Sequence, residues 1–99
     1  MRLKPQDRKN EILTAAIKVA GQPGGWSTLT RDAVAKEARC AVGLVSRYFG
    51  TMVCFKRAIM RKAVTDRDLA IIAQGLATRD PSACKADGEL KALALATLA

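Results

Sequence analysis

The residues best placed to do chemistry lie in one short stretch, Val42-Gly43-Leu44-Val45-Ser46-Arg47-Tyr48-Phe49. On a helix turning 100° per residue, Val45 and Phe49 share one side with Val42 at its edge. Gly43, Ser46 and Arg47 then point the other way, with Leu44 and Tyr48 on one flank. Arg47 is the one long hydrogen-bonding side chain on that outward face. Its planar fork matches the paired acceptors on a guanine edge, and Leu44 suits the methyl group of thymine. This is the chemistry of recognition. The chain has no histidine, no nucleophile motif, no glycine-rich phosphate loop and no recognisable pair of acids. An enzyme is therefore not expected, nor a cofactor. Cys40, Cys54 and Cys84 are odd in number, widely spaced and without a CxxC, so no metal site is expected either. They read as small apolar residues whose free thiols suit a reducing, cytoplasmic setting.

Charge supports the same direction. Residues 1–63 hold 13 Lys/Arg against 4 Asp/Glu, a balance of +9. Residues 64–99 hold 4 against 5, a balance of −1. A basic part joined to a near-neutral part fits a polyanion-binding module attached to something that packs or associates. A generally basic, solvated surface is the plainer alternative. Arg2, Lys4 and Arg8 could form a phosphate-seeking arm or a solvated terminus, and the arm is the preferred reading. Met1–Asn10 is charged and lacks an apolar core, so no signal peptide is expected. No stretch approaches the roughly 18 apolar residues of a membrane span.

The elements that must position Arg47 are legible as apolar periodicity, and no β pattern competes. A first helix is expected over about Gln6–Ala20, with Ile12, Leu13, Ala16, Ile17 and Ala20 on one face. Gly21 suits a left-handed cap, and Pro23-Gly24-Gly25 stops continuation. Trp26 reads as a core plug for the loop that follows. A second helix starts after Thr30, whose hydroxyl makes an N-cap worth about 1 kcal/mol. Leu29 and Val34 are spaced as a staple across that start, and Asp32 suits its first turn. Its buried face should hold Ala33, Val34 and Ala38. A short turn, Arg39-Cys40-Ala41, leads to a third helix over Val42–Phe49, ended by Gly50. Thr51 then caps a long fourth helix from Met52 to Leu76, with Phe55, Ile59, Ala63, Leu69, Ile72 and Leu76 as apolar stripes. Residues 77–88 read as a loop. Glu89–Ala99, with Leu90, Leu93, Leu95 and Leu98 among alanines, should be a buried helix. The expected architecture is an all-α chain forming one compact domain. A helix-turn-helix head over 1–50 is followed by a helical linker and dimerisation region over 51–99.

Three separated stretches also resemble a known family: Ile12-Leu13-Thr14-Ala15-Ala16, Leu29-Thr30-Arg31-Asp32-Ala33-Val34-Ala35 and Val42–Phe49. Together, over about residues 8–60, they look like the DNA-binding head of tetracycline-repressor-like (TetR) regulators. The resemblance implies a three-helix head with the third helix in the major groove and a fourth leading to a dimerising body. It also implies DNA contacts at Thr30, Val42, Gly43, Leu44, Ser46, Arg47 and Tyr48. The family usually places a lysine at the start of the fourth helix, where this chain has Met52. Lys56 and Arg57, one turn later, are the substitutes. The family's C-terminal part is usually much longer, which speaks here against a small-molecule effector.

The function these readings favour is a sequence-specific regulator of transcription, a dimeric repressor that binds double-stranded DNA. Its two-fold interface is expected from Glu89–Ala99 together with the segment around Leu69–Leu76. Otherwise the last helix folds back on a monomer that reads one half-site. The alternatives are a DNA packaging or recombination accessory factor, or a protein–protein module using the basic face on an acidic partner.

Overall fold

Side-chain caps set where four of the described helices begin, at Thr30, Thr51, Asp68 and Asp80. Thr30 Oγ1 accepts from the Ala33 amide at 3.1 Å, Thr51 Oγ1 from Cys54 at 3.2 Å, and Asp68 Oδ1 from Ile71 at 3.3 Å. The computed structural model describes residues 4–22 and 24–97. Over these the chain is all-helical, with α1 (Pro5–Ala20), α2 (Arg31–Ala38), α3 (Val42–Phe49), α4 (Met52–Asp66), α5 (Leu69–Ala77), α6 (Pro81–Cys84) and α7 (Gly88–Ala96). No described helix is long and apolar enough to cross a membrane. Arg2, Pro23, Leu98 and Ala99 fall outside the described residues.

The bounds of α2 and α3 match the expectation, and several other boundaries do not. Gly21 keeps a right-handed conformation (φ −71), and Gly24 (φ 71) takes the left-handed place instead. In α2 it is Ala35, with Val34 and Ala38, that is buried, while Ala33 is only half-buried. The long fourth helix is two helices. Thr65-Asp66-Arg67-Asp68 is a polar run with no apolar side chain to hold against a core. Arg67 turns left-handed there (φ 57), its amide and that of Asp68 close onto Val64 and Ala63, and Asp68 caps α5. Inside the expected 77–88 loop, Asp80 accepts from Ser82 and Ala83 at 3.0 and 3.1 Å and starts α6 at Pro81.

Three helices end the same way. Arg39, Arg67 and Arg79 all have φ of 57–59, and each is followed by an amide that reaches back five residues: Cys40 to Ala35, Asp68 to Ala63 and Asp80 to Gly75. Glycine is the usual residue there, because a side chain in this conformation costs about 1 kcal/mol. At each of the three ends the amide after the arginine nevertheless finds a backbone acceptor.

The buried residues form one continuous cluster with α4 at its centre. Phe55, Ile59, Met60 and Ala63 on α4 are fully buried. Full burial of each of the three larger ones contributes about 1.5–3 kcal/mol. α4 packs against α1 and α3 on one side and α5 and α6 on the other, and its core residues share one cluster with Ile12 and Ala16 of α1, Val45 of α3 and Ile71 and Ile72 of α5; Val34 of α2 joins that cluster from a helix packed on α1 and α3. Gly75 permits the second contact, because a Cβ there would lie 2.3 Å from Met60 Cε and 2.9 Å from Ala83 Cβ. Ile71, Ile72, Ala73 and Gly75 are thus used inside their own chain, which removes the middle of the Leu69–Leu76 segment from the expected two-fold interface. The last helix is likewise only partly buried: Leu90 and Ala94 pack on α5 while Leu93 and Leu95 stay exposed.

Candidate nucleic-acid interface

The outward face of α3 is built by what its inward face must do. Val45 is fully buried, and Phe49 lays its ring 5.0 Å from that of Phe55, tilted by 35°. With those two fixed inward, Gly43 and Arg47 are exposed, Val42 is 39% exposed and Ser46 is half-buried beside them. Leu44 and Tyr48 are half-buried and pack against the core, so each offers only part of its surface outward. The first turn of α3 has no acidic residue, and its N-cap residue, Ala41, gives no side-chain hydrogen bond. The free amides at that end therefore favour a negatively charged or hydrogen-bond-accepting partner.

Gly43 carries an argument of its own. Within a helix, glycine costs about 0.5–1 kcal/mol relative to alanine. Its φ is not positive and a Cβ would meet nothing within 4 Å. Nothing inside the chain asks for glycine at this position.

A second helix start lies beside this face. Arg31, the first residue of α2, donates from Nη2 to the Gly50 carbonyl at 3.2 Å. That bond ties the start of α2, where Thr30 is exposed, to the turn between α3 and α4. Arg31 Nε is buried without a hydrogen-bond partner, while Nη2 of the same guanidinium holds the Gly50 carbonyl. The sequence reading did not single out Arg31. A cation at the first position of a short helix next to a candidate reading element was the available signal. Thr30 accepts the α2 cap bond, and its hydroxyl proton remains free to donate to a phosphate.

The cations around this face divide into engaged and free ones. Lys56 Nζ sits 4.8 Å from the ring centroid of Trp26, which is itself 3% exposed. Arg57, the next residue, is exposed, as is Arg61 one turn on. Among the described residues the ion pairs are Arg8–Glu11, Lys18–Glu37 and Lys62–Asp66; Arg47, Arg57 and Arg61 enter none of them. Of the residues expected to form an N-terminal arm, Lys4 is exposed as the N-cap residue of α1, and Arg8 lies within α1, 3.6 Å from Glu11. A shallow groove of about 360 Å³ lies between α1 and α2, lined by Glu11, Thr14, Lys18, Glu37 and Arg39 among others. Its acids and bases balance, and the Lys18–Glu37 pair at 2.8 Å crosses it. It has none of the uncompensated charge of the α3 side.

No protein-family model, curated protein or solved structure matches the chain. The site therefore stands on its own geometry. That geometry brings Val42, Gly43, Ser46 and Arg47 to one surface, with Thr30 and Arg31 at its edge. It gives Leu44 and Tyr48 a double role, and it turns Lys56 toward Trp26.

Proposed function

We propose that this chain is a sequence-specific double-stranded-DNA-binding regulator of transcription, acting as a repressor. In this reading α2 and α3 form a helix-turn-helix of the TetR-like kind, with α3 in the major groove. Arg47 reads a base edge, assisted by Ser46 and the exposed parts of Val42, Leu44 and Tyr48. Thr30, Arg31 and Arg57 hold phosphates at the sides, with Lys56 engaged instead on Trp26, and the Lys4–Arg8 segment adds to them. Two copies bind a two-fold-related pair of half-sites about 34 Å apart, one turn of DNA.

The observation that carries the reading is the exposed face of α3, an unpaired arginine beside a glycine that packing does not require. It is tested by selecting bound duplexes from a random pool and comparing variants on the selected and on random sequences. Arg47→Ala is expected to lose about 1–3 kcal/mol on the selected duplex at one base pair per half-site, and much less on random DNA. Equal losses on both would remove Arg47 as a reader. Gly43→Ala is expected to raise stability by about 0.5–1 kcal/mol while weakening selected-duplex binding by about 1–3 kcal/mol, because a methyl group intrudes on a close contact. A more stable variant with undiminished binding would contradict the role given to Gly43.

A further inference from the structure

Arg31 stands against the local preference of its position. It is the first residue of α2, where open backbone amides favour an acid; Asp32 beside it meets that preference and Arg31 does not. Its guanidinium is held in place: Nε is buried, and Nη2 donates to the Gly50 carbonyl at 3.2 Å, 19 positions along the chain. Among the described residues this is the only side-chain hydrogen bond made to any residue of 42–50.

Gly50 is shaped to accept that bond. Its amide closes α3 by donating to the Ser46 carbonyl at 2.8 Å, and its backbone then turns to φ 72 and ψ −130. That conformation belongs almost wholly to glycine, and in it the carbonyl meets Arg31. α2 therefore holds α3 at both ends, by the short Arg39-Cys40-Ala41 turn at its start and by Arg31 at its finish. Phe49 and Phe55 hold the same end onto α4, but apolar contact is non-directional, whereas a hydrogen bond fixes distance and angle. Small errors in that angle matter for Arg47. An extended arginine head lies about 8 Å from the axis of its helix, so a roll of about 15° moves it by about 2 Å. A paired contact to a base edge tolerates only about 0.5 Å.

We propose that Arg31 is a positioning residue for α3. Through the Gly50 carbonyl it latches the end of the reading helix and sets its roll, and with the roll the discrimination between base sequences. The specificity role rests on the DNA-binding reading above. It is compatible with a phosphate contact by the same side chain, because the guanidinium fork carries further N–H donors beyond the one spent on Gly50. One guanidinium thus joins a backbone contact, which carries no base information, to the angle of the helix that does the reading.

Hydrogen exchange of the intact chain tests the latch without DNA. Arg31→Ala is expected to speed exchange of the Gly50 amide about fivefold or more and to leave the amides of α5 unchanged. Unchanged exchange at Gly50 would overturn the proposal. Affinities for the selected and the random duplex then separate positioning from charge. Loss of a phosphate contact weakens both alike, so Arg31→Ala should lose about fivefold or more beyond that on the selected duplex. Gly50→Ala keeps Arg31 and its charge but disfavours the positive φ that presents the carbonyl. It should lower the selected-over-random ratio by a similar factor, with random-duplex affinity and salt slope unchanged. The double variant should lose no more of the ratio than the worse single one, since both break the same bond. Equal losses by Arg31→Ala on the two duplexes would overturn the specificity role, as would a ratio kept by Gly50→Ala. If no duplex is bound at all, the specificity role falls with the functional reading, while exchange at Gly50 still decides the latch.

Discussion

Phe55→Ala is expected to cost about 3–5 kcal/mol of folding stability, the range for deleting a fully buried aromatic ring. Small domains have only about 5–15 kcal/mol in total, so the variant should sit near the edge of unfolding at room temperature. The reason is position as much as volume. Phe55 is fully buried on the first turns of α4, and its ring meets that of Phe49, the last residue of α3. The pair fastens the candidate reading helix to the centre of the core. Its loss leaves a cavity where α3 and α4 meet and frees the outward face to rotate. Urea unfolding measures the change, and Phe55→Leu, which keeps most of the volume, should lose less than half as much. A loss under 1 kcal/mol for Phe55→Ala would mean that α3 is held by something else.

Gln74→Ala is expected to cost about 2–4 kcal/mol, although it removes no apolar volume from the core. The Gln74 amide joins parts of the chain about 50 residues apart. Its Oε1 accepts from the Trp26 amide at 2.9 Å, and its Nε2 donates to the Ala20 carbonyl at 2.7 Å. Alanine would leave both partly buried backbone groups without a partner, at about 1–2 kcal/mol each. The change would also loosen the end of α1 and the loop carrying Trp26, against which Lys56 rests. Trp26 fluorescence should therefore shift toward the wet-tryptophan value before global unfolding. A variant with wild-type stability and fluorescence would show that water replaces the side chain without cost.

Gln74 also shows where sequence reading stopped. Nothing in the local pattern marks a polar residue on α5 as the partner of a loop after α1, since the contact depends on tertiary placement. Local signals were legible at some places and not at others: Gly21 does not take the left-handed cap, and Asp80 starts a helix inside what reads as a loop. Thr30, Thr51 and the stretch Val42–Phe49 set helix starts and a helix face through their own side chains, and the α2 and α3 bounds follow. The break after Asp66 was missed because Arg67 holds a left-handed position where glycine is the familiar signal, and Asp68 caps a helix whose apolar stripe continues the previous one. The burial of Ile71, Ile72 and Ala73 within the chain was not legible, because apolar residues around Leu69–Leu76 look the same whether a neighbouring helix or a second chain covers them. At the candidate site, Arg47 and Gly43 were legible from helical periodicity. Arg31 was not, because its bond to the Gly50 carbonyl exists only once α2 lies against the α3–α4 turn.

The central claim is that this chain grips the backbone of duplex DNA with its basic first two thirds. The most direct measurement is affinity for duplex DNA titrated from low to moderate salt. Each phosphate neutralised contributes about −0.9 to the slope of log K against log salt. Two copies making around six such contacts predict a slope of about −5. A flat response, or no duplex binding at low salt, would contradict the account.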